Sequence, residues 1–234
     1  MKTIRGIWEL VLRFSRFLVL LWQKRRRFNR WMAKRYTPQM LAAIGTAVCL
    51  LVAVFALLAS PCLGMANDSL GNQKMQEYGL SYRAADRGEN SSQFASNAYF
   101  TRQYEVTRTG APIHSSQNLF VRLGMALDSV FTTDGLFDVR FLAMVYLVLY
   151  LPAVYLVLKA GLERVSYFSE AVVITVLGVL IFADISYLVF FNSLYSDGLI
   201  LICMLYIAGA SMSLHLKRPT QMGLQMVIAA AGLV

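Results

Sequence analysis

The chain has 234 residues, 57% of them hydrophobic and only 15% charged, with a formal net charge of +9. A water-soluble domain of this length carries more charge, so that class is excluded. Eleven of the 22 basic residues lie before residue 36, against the single acid Glu9 and just ahead of an apolar block. That makes the charge a membrane-orientation signal and excludes nucleic acid as a partner.

In chain order, residues 1–38 form a basic amphipathic segment. Ile4, Ile7, Val11, Phe14, Leu18 and Leu21 recur at helical spacing, while Arg5, Glu9, Arg13 and Arg16 mostly take other faces. This predicts a helix lying on the cytoplasmic leaflet, and the run KRRRFNR after it attracts anionic lipid headgroups. Residues 39–63 form the first predicted span, with an uncharged core from Met40 to Ala59, close to the ~20 residues a bilayer core requires. The GMA before Asn67 resembles a signal-peptide cleavage site, but the long stretch ahead of the apolar block does not fit a signal peptide, so the span is expected to remain.

Residues 64–138 are the large polar insertion. Within it, SSQNLFVRLGMALDSVF predicts a helix over 116–131 that starts at a Ser115 or Ser116 cap. Leu119, Leu123, Leu127 and Phe131 fall on one stripe, which predicts a helix along the outer membrane surface. TTDGLFD then turns the chain into the second span, Phe141–Leu158. A third span runs from Ala171 to Phe191, interrupted by Asp184, and a fourth from Leu199 to Leu214. A fifth begins near Met222 and meets Val234 too soon to cross. Residues 139–234 therefore read as spans two to the start of five, and the chain as the N-terminal fragment of a longer protein.

Lys159 and Arg164, then Lys217 and Arg218, alternate with the base-free loop NSLYSDG. The N-terminus is thus expected in the cytoplasm and residues 64–138 outside. The predicted fold is an all-α integral membrane protein of the plasma membrane. It is a multi-span helical bundle with a long extracytoplasmic loop containing a surface helix.

Asp68 is the first acid after span one. Partial desolvation at the bilayer surface makes a carboxylate a better base, although a solvated loop aspartate would sit in the same place. Asp197, in FFNSLYSDG, is expected on the same outer face. It either shares a substrate or a divalent cation with Asp68, or simply begins a helix. Asp184 is an acid within an apolar block. It is a functional candidate by default, unless it is protonated or bonded to Ser186 or a neighbouring helix. Arg140 and Arg122 suit a lipid phosphate, or simple interfacial anchoring. His114 has no partner at ligand or triad spacing. Cys49, Cys62 and Cys203 read as packing residues rather than a disulfide framework or metal site. The chain lacks GxxxxGK[ST], HExxH, GxSxG and internal repeats.

ANDSLGN after span one, FDVRFLAMVYLVLYL leading span two and FFNSLYSDG after span three together resemble the GT-C superfamily of integral-membrane glycosyltransferases. They look most like the bacterial hexose transferases that build cell-surface glycans. The resemblance covers roughly residues 40–218, by the span pattern. It implies transfer of a sugar from a polyprenyl-phosphate donor to a hydroxyl on a glycan, protein or lipid, with Asp68 as general base. Asn67, Asp197, Asn192, Arg122 and Arg140 would be substrate-binding, a divalent cation at Asp197 would be the candidate cofactor, and membrane lipids would be partners. The family has more spans than this chain holds and often grips the donor phosphate from later loops. The competing classes are a multi-span transporter, with Asp184 as a relay, and a non-catalytic membrane assembly protein. The long loop favours the enzyme.

Overall fold

The computed structural model describes residues 35–65, 69–83, 100–107 and 115–214, with residues 23–24, 27–29 and 31–32 ahead of them. The amphipathic stripe up to Leu21, the block after Met222, and Asn67, Asp68 and His114 lie outside the described residues.

Helix α1 spans Pro38–Ala53 and continues as a π-helical turn, Val54–Leu58. It begins as sequence chemistry dictates: Pro38 sits in the first turn, and the Thr37 hydroxyl accepts the Met40 N–H at 3.2 Å. With its π turn it is 21 residues long and apolar enough to cross a membrane, as is α4, Val139–Leu162, at 24 residues. Helix α5 (Phe168–Phe182) and the segment Ile185–Asn192 form a bent pair, with 43° between them at the break around Asp184. That segment comprises α6, Ile185–Leu188, and a 3-10 turn, Val189–Asn192. Helix α7, Asp197–Leu214, is shorter in its apolar reach. Helix α4 is the centre, packing on α1, α5 and α7.

The polar insertion is not purely helical, which corrects the all-α expectation. After α2 (Ser69–Glu77) come β1 (Leu80–Tyr82), β2 (Gln103–Val106) and β3 (Leu136–Asp138), which form a three-stranded antiparallel sheet in the order β1-β2-β3. Leu80 pairs with Val106 and Tyr82 with Tyr104. Across the next ladder Gln103 pairs with Asp138 and Glu105 with Leu136. Gly79 and Gly135, at φ 76° and 73°, turn the chain into β1 and β3 in a conformation that other residues rarely adopt.

Between β2 and β3 lies α3, Ser116–Phe131, with Ser115 as its cap accepting the Asn118 N–H at 3.3 Å. Its inward face is Gln117, Asn118, Val121, Gly124 and Asp128. Gly124 sits against the backbone of Leu142, and this close approach seats the helix on α4. Leu119, Leu123 and Phe131 of the expected stripe are exposed on the other side, and Leu127 is half-buried.

Candidate functional site

The strongest convergence of polar groups surrounds the exit of α1. Beyond the π turn the chain doubles back, so that the Leu63 N–H bonds the Ala56 carbonyl at 2.7 Å. Helix ends leave carbonyls without partners, and burial makes that costly. Here Asn192 supplies donors: its Nδ2 donates to the Leu57 carbonyl at 2.9 Å and to the Leu63 carbonyl at 2.6 Å. Asn192 is 1% exposed, and its Oδ1 has no partner among the described residues. The neighbouring Phe191 fixes its place, packing edge-on to Tyr150 at 5.1 Å and against Tyr146 at 5.6 Å.

Two other segments meet the same exit. Gly64 packs so tightly on Phe100 that a Cβ there would lie 2.1 Å from its ring. Arg140, in the first turn of α4, lies within electrostatic range of Cys62. Phe100 leads to Arg102, whose Nε approaches the Asp138 carboxylate at 3.3 Å. Arg140 grips the same carboxylate through Nε at 3.0 Å and Nη2 at 2.8 Å. Asp138 thus does two jobs: it caps α4 by accepting the Arg140 N–H, and it holds two guanidinium groups. Behind it, the buried Asp128 accepts the Asp138 N–H at 2.8 Å and the Thr132 hydroxyl at 2.6 Å. A cavity of about 120 Å³ opens beside Gln103, Asp134, Asp138 and Arg140.

The remaining candidates are spread around this centre. Asp197 is exposed and begins α7. Arg122 lies on α3 with its Nε bonded to the Asn118 Oδ1 at 2.9 Å. Asp184 is exposed at the break in the third apolar segment, where its carboxylate accepts the Ser186 N–H at 2.8 Å and caps α6. Cys49 and Cys203 are buried, Cys62 is half-buried, and all three are free thiols. Among the described residues no three His, Cys, Asp or Glu side chains group in a way suited to a metal ion.

The structure adds residues that sequence reasoning passed over. Arg102, Asp128 and Asp138 were hidden because the fold joins them into one cluster from β2, α3 and the start of α4. Tyr78, Gln117 and Tyr146 form a buried polar group under the sheet. The Tyr146 hydroxyl donates to the Gln117 Oε1, and the Tyr78 hydroxyl lies near both Ser115 and Tyr146. Burial, and then the neighbouring Glu77, push the Tyr78 phenol above its ordinary range.

The chain matches the model of the YfdI N-terminal transmembrane domain over residues 24–233. It belongs to this family. Membership agrees with the apolar helices in making the chain a membrane-embedded protein. Comparisons with curated proteins and with solved structures found no match.

Proposed function

We propose that this YfdI-family domain is the N-terminal membrane part of a glycosyltransferase of the GT-C type. It would move a sugar from a polyprenyl-phosphate donor to a hydroxyl acceptor during cell-surface glycan assembly. One observation carries the reading: the exit of α1, four residues before Asp68 as counted from Gly64, is clasped by Asn192 and covered by Phe100, with Arg140 of the Asp138 ion cluster within electrostatic range of Cys62.

In the proposed reaction Asp68 accepts the proton of the acceptor hydroxyl as that oxygen bonds to the anomeric carbon. The bond from that carbon to the phosphate oxygen breaks, and its electron pair leaves with polyprenyl phosphate, with inversion of configuration. Arg140, within electrostatic range of Cys62, would steady the departing phosphate. An apolar groove of about 390 Å³ lined by Leu51, Phe55, Leu63 and Ile185 adjoins the same exit and would suit an isoprenoid chain. Asn67 and Asp197 remain substrate-side candidates, with a divalent cation at Asp197 as the optional cofactor. The reading places the N-terminus in the cytoplasm and this site outside the plasma membrane.

The test is Asp68→Asn in the full-length protein. Transfer from a polyprenyl-phosphate sugar should fall by roughly 100-fold or more, the scale of a lost general base. Unchanged turnover would remove Asp68 from the mechanism. A transporter is the second reading, favoured by the broken helix at Asp184, since discontinuous helices often line transport sites. Uptake of a solute that is abolished by Asp184→Asn, with no sugar transfer by the wild type, would select it.

A further inference from the structure

We infer that Asn192 is a positioning residue: it clasps the doubled-back exit of α1 from Leu57 to Leu63, and the proposed sugar transfer depends on that hold. The inference rests on the proposed function for its chemical consequence, but the clasp itself stands on geometry.

The π turn Val54–Leu58 ends a span, so its last carbonyls point away from any helical partner. Leu57 is fully buried, and its carbonyl has no water to turn to. One amide nitrogen on Asn192 reaches both this carbonyl and that of Leu63, six residues on. The two bonds bridge the doubled-back segment containing Ala59, the cis Ser60–Pro61 bond and Cys62. Two carbonyl acceptors fix which end of the amide faces them, because only the nitrogen can donate. The residue comes from the far end of the bent third segment, and Phe191, locked between Tyr146 and Tyr150, prevents it from swinging away. Because its donors face the chain, Asn192 acts through the segment it holds.

Other groups press on the same segment without replacing the clasp. Phe100 closes over Gly64, and Arg140 lies within electrostatic range of Cys62. Neither donates to the Leu57 or Leu63 carbonyl. Loss of the Asn192 donors therefore leaves a loop still covered but free to shift.

Cys62 provides a reporter inside the clasped segment. The experiment uses the full-length protein in membranes, with every other cysteine replaced by alanine. Asn192→Asp keeps the side-chain volume but turns an acceptor toward the two carbonyls. Maleimide modification of Cys62 should speed up by about tenfold, as expected when two hydrogen bonds no longer oppose local opening. The kcat for sugar transfer should fall by about 100-fold, the scale of a small misplacement of reacting groups, with KM nearly unchanged. Asn192→Ser, which retains one donor, should lie between wild type and Asn192→Asp in both measurements. If Asn192→Asp does not reach the membrane, Asn192→Ser decides by the same two measurements.

Unchanged Cys62 reactivity in the variants would overturn the clasp. Faster Cys62 modification with an unchanged kcat would overturn the positioning role. A loss confined to KM would make Asn192 a substrate contact and overturn it as well. Asp68→Asn, measured beside them, should leave Cys62 reactivity at the wild-type rate. Full activity in that variant would sink the proposed base while the Cys62 rates still judge the clasp.

Discussion

The spans and the loop side are held together by opposite means. In α1 the outward stripe is Met40, Ile44, Val48, Leu51 and Phe55, and the inward one is Leu41, Ala42, Gly45, Cys49 and Ala53. Large apolar groups face out and mostly small ones face in, so that helix backbones approach closely where lipid offers no hydrophobic driving force. The threonine and serine hydroxyls in these helices bond their own backbone, Thr46 to Ala42, Thr175 to Ala171 and Ser211 to Ile207, while the Tyr150 and Tyr206 hydroxyls cross to the Phe182 and Leu149 carbonyls. On the loop side, polar groups instead bond across elements, Asp128 to the start of α4 and Asp138 to Arg102 and Arg140. The spans are therefore specified mainly by their apolar and small-residue pattern, and the loop side mainly by charged and polar side chains that tie its elements together.

The sharpest way to break that contrast is at Asp128. Its two oxygens hold the Asp138 N–H and the Thr132 hydroxyl in a nearly dry setting. Asp128→Ala leaves a buried N–H unpaired and should cost about 3 kcal/mol, from lost charge-assisted bonds and the unsatisfied donor. Hydrogen exchange should show the loss confined to β2, α3 and β3, with α1 and α5 protected as in the wild type. Loss of protection throughout would mean that the two regions fold as one unit.

The next effect belongs to the bundle. Leu158 of α4 reaches into a hollow between Gly45 of α1 and Gly178 of α5. A Cβ on Gly178 would come within 2.3 Å of its Cδ2, and one on Gly45 within 3.1 Å of its Cδ1. Gly178→Val should destabilise the purified protein by about 1–3 kcal/mol through overpacking. Adding Leu158→Ala should recover part of that loss, because the space is exchanged rather than merely removed. Independent, additive effects in the double variant would show that the three helices do not meet at this point.

The same contrast explains what could be read from residues alone. The apolar blocks located α1, α4 and the bent pair because hydropathy is local, and Ser115 announced α3 because a cap is local too. The sheet escaped notice. Its strands are three or four residues long, too short to display alternation, and β1 pairs with β2 across more than twenty residues. Asp138 looked like part of a turn, but it caps α4 and anchors two arginines. Asp184 was legible as an odd carboxylate in an apolar run, and its bond to Ser186 was among the alternatives. What hydropathy did not contain was the 43° bend that this cap accompanies. Asn192 stood out only as a substrate-side residue through the resemblance of FFNSLYSDG, and its clasp carried no signal, since its partners are carbonyls 129 and 135 residues away.

Helix α3 tests where the boundary between the two regions falls, and it carries the smallest expected effect. By sequence position it belongs to the polar insertion, but its construction follows the spans. The polar and small residues face α4, while Leu119, Leu123, Val130 and Phe131 are exposed. Phe131 stacks on Phe141 of α4, so the apolar surface runs on without a gap. The exposed Ser129 hydroxyl bonds the Ala126 carbonyl at 2.8 Å, as Ser211 does in α7, which is the arrangement a hydroxyl needs where water is absent. Ser129→Ala and Ser211→Ala should each change stability by less than about 0.5 kcal/mol, because each removes a hydroxyl together with its own local bond. The decisive measurement is a nitroxide at Leu123. Lipid-soluble oxygen should relax it as strongly as a label at Met204 of α7, while a label at Arg122 should respond to a water-soluble reagent. If water reaches Leu123 as readily as Arg122, α3 belongs with the sheet, and its apolar face needs a protein partner rather than a bilayer.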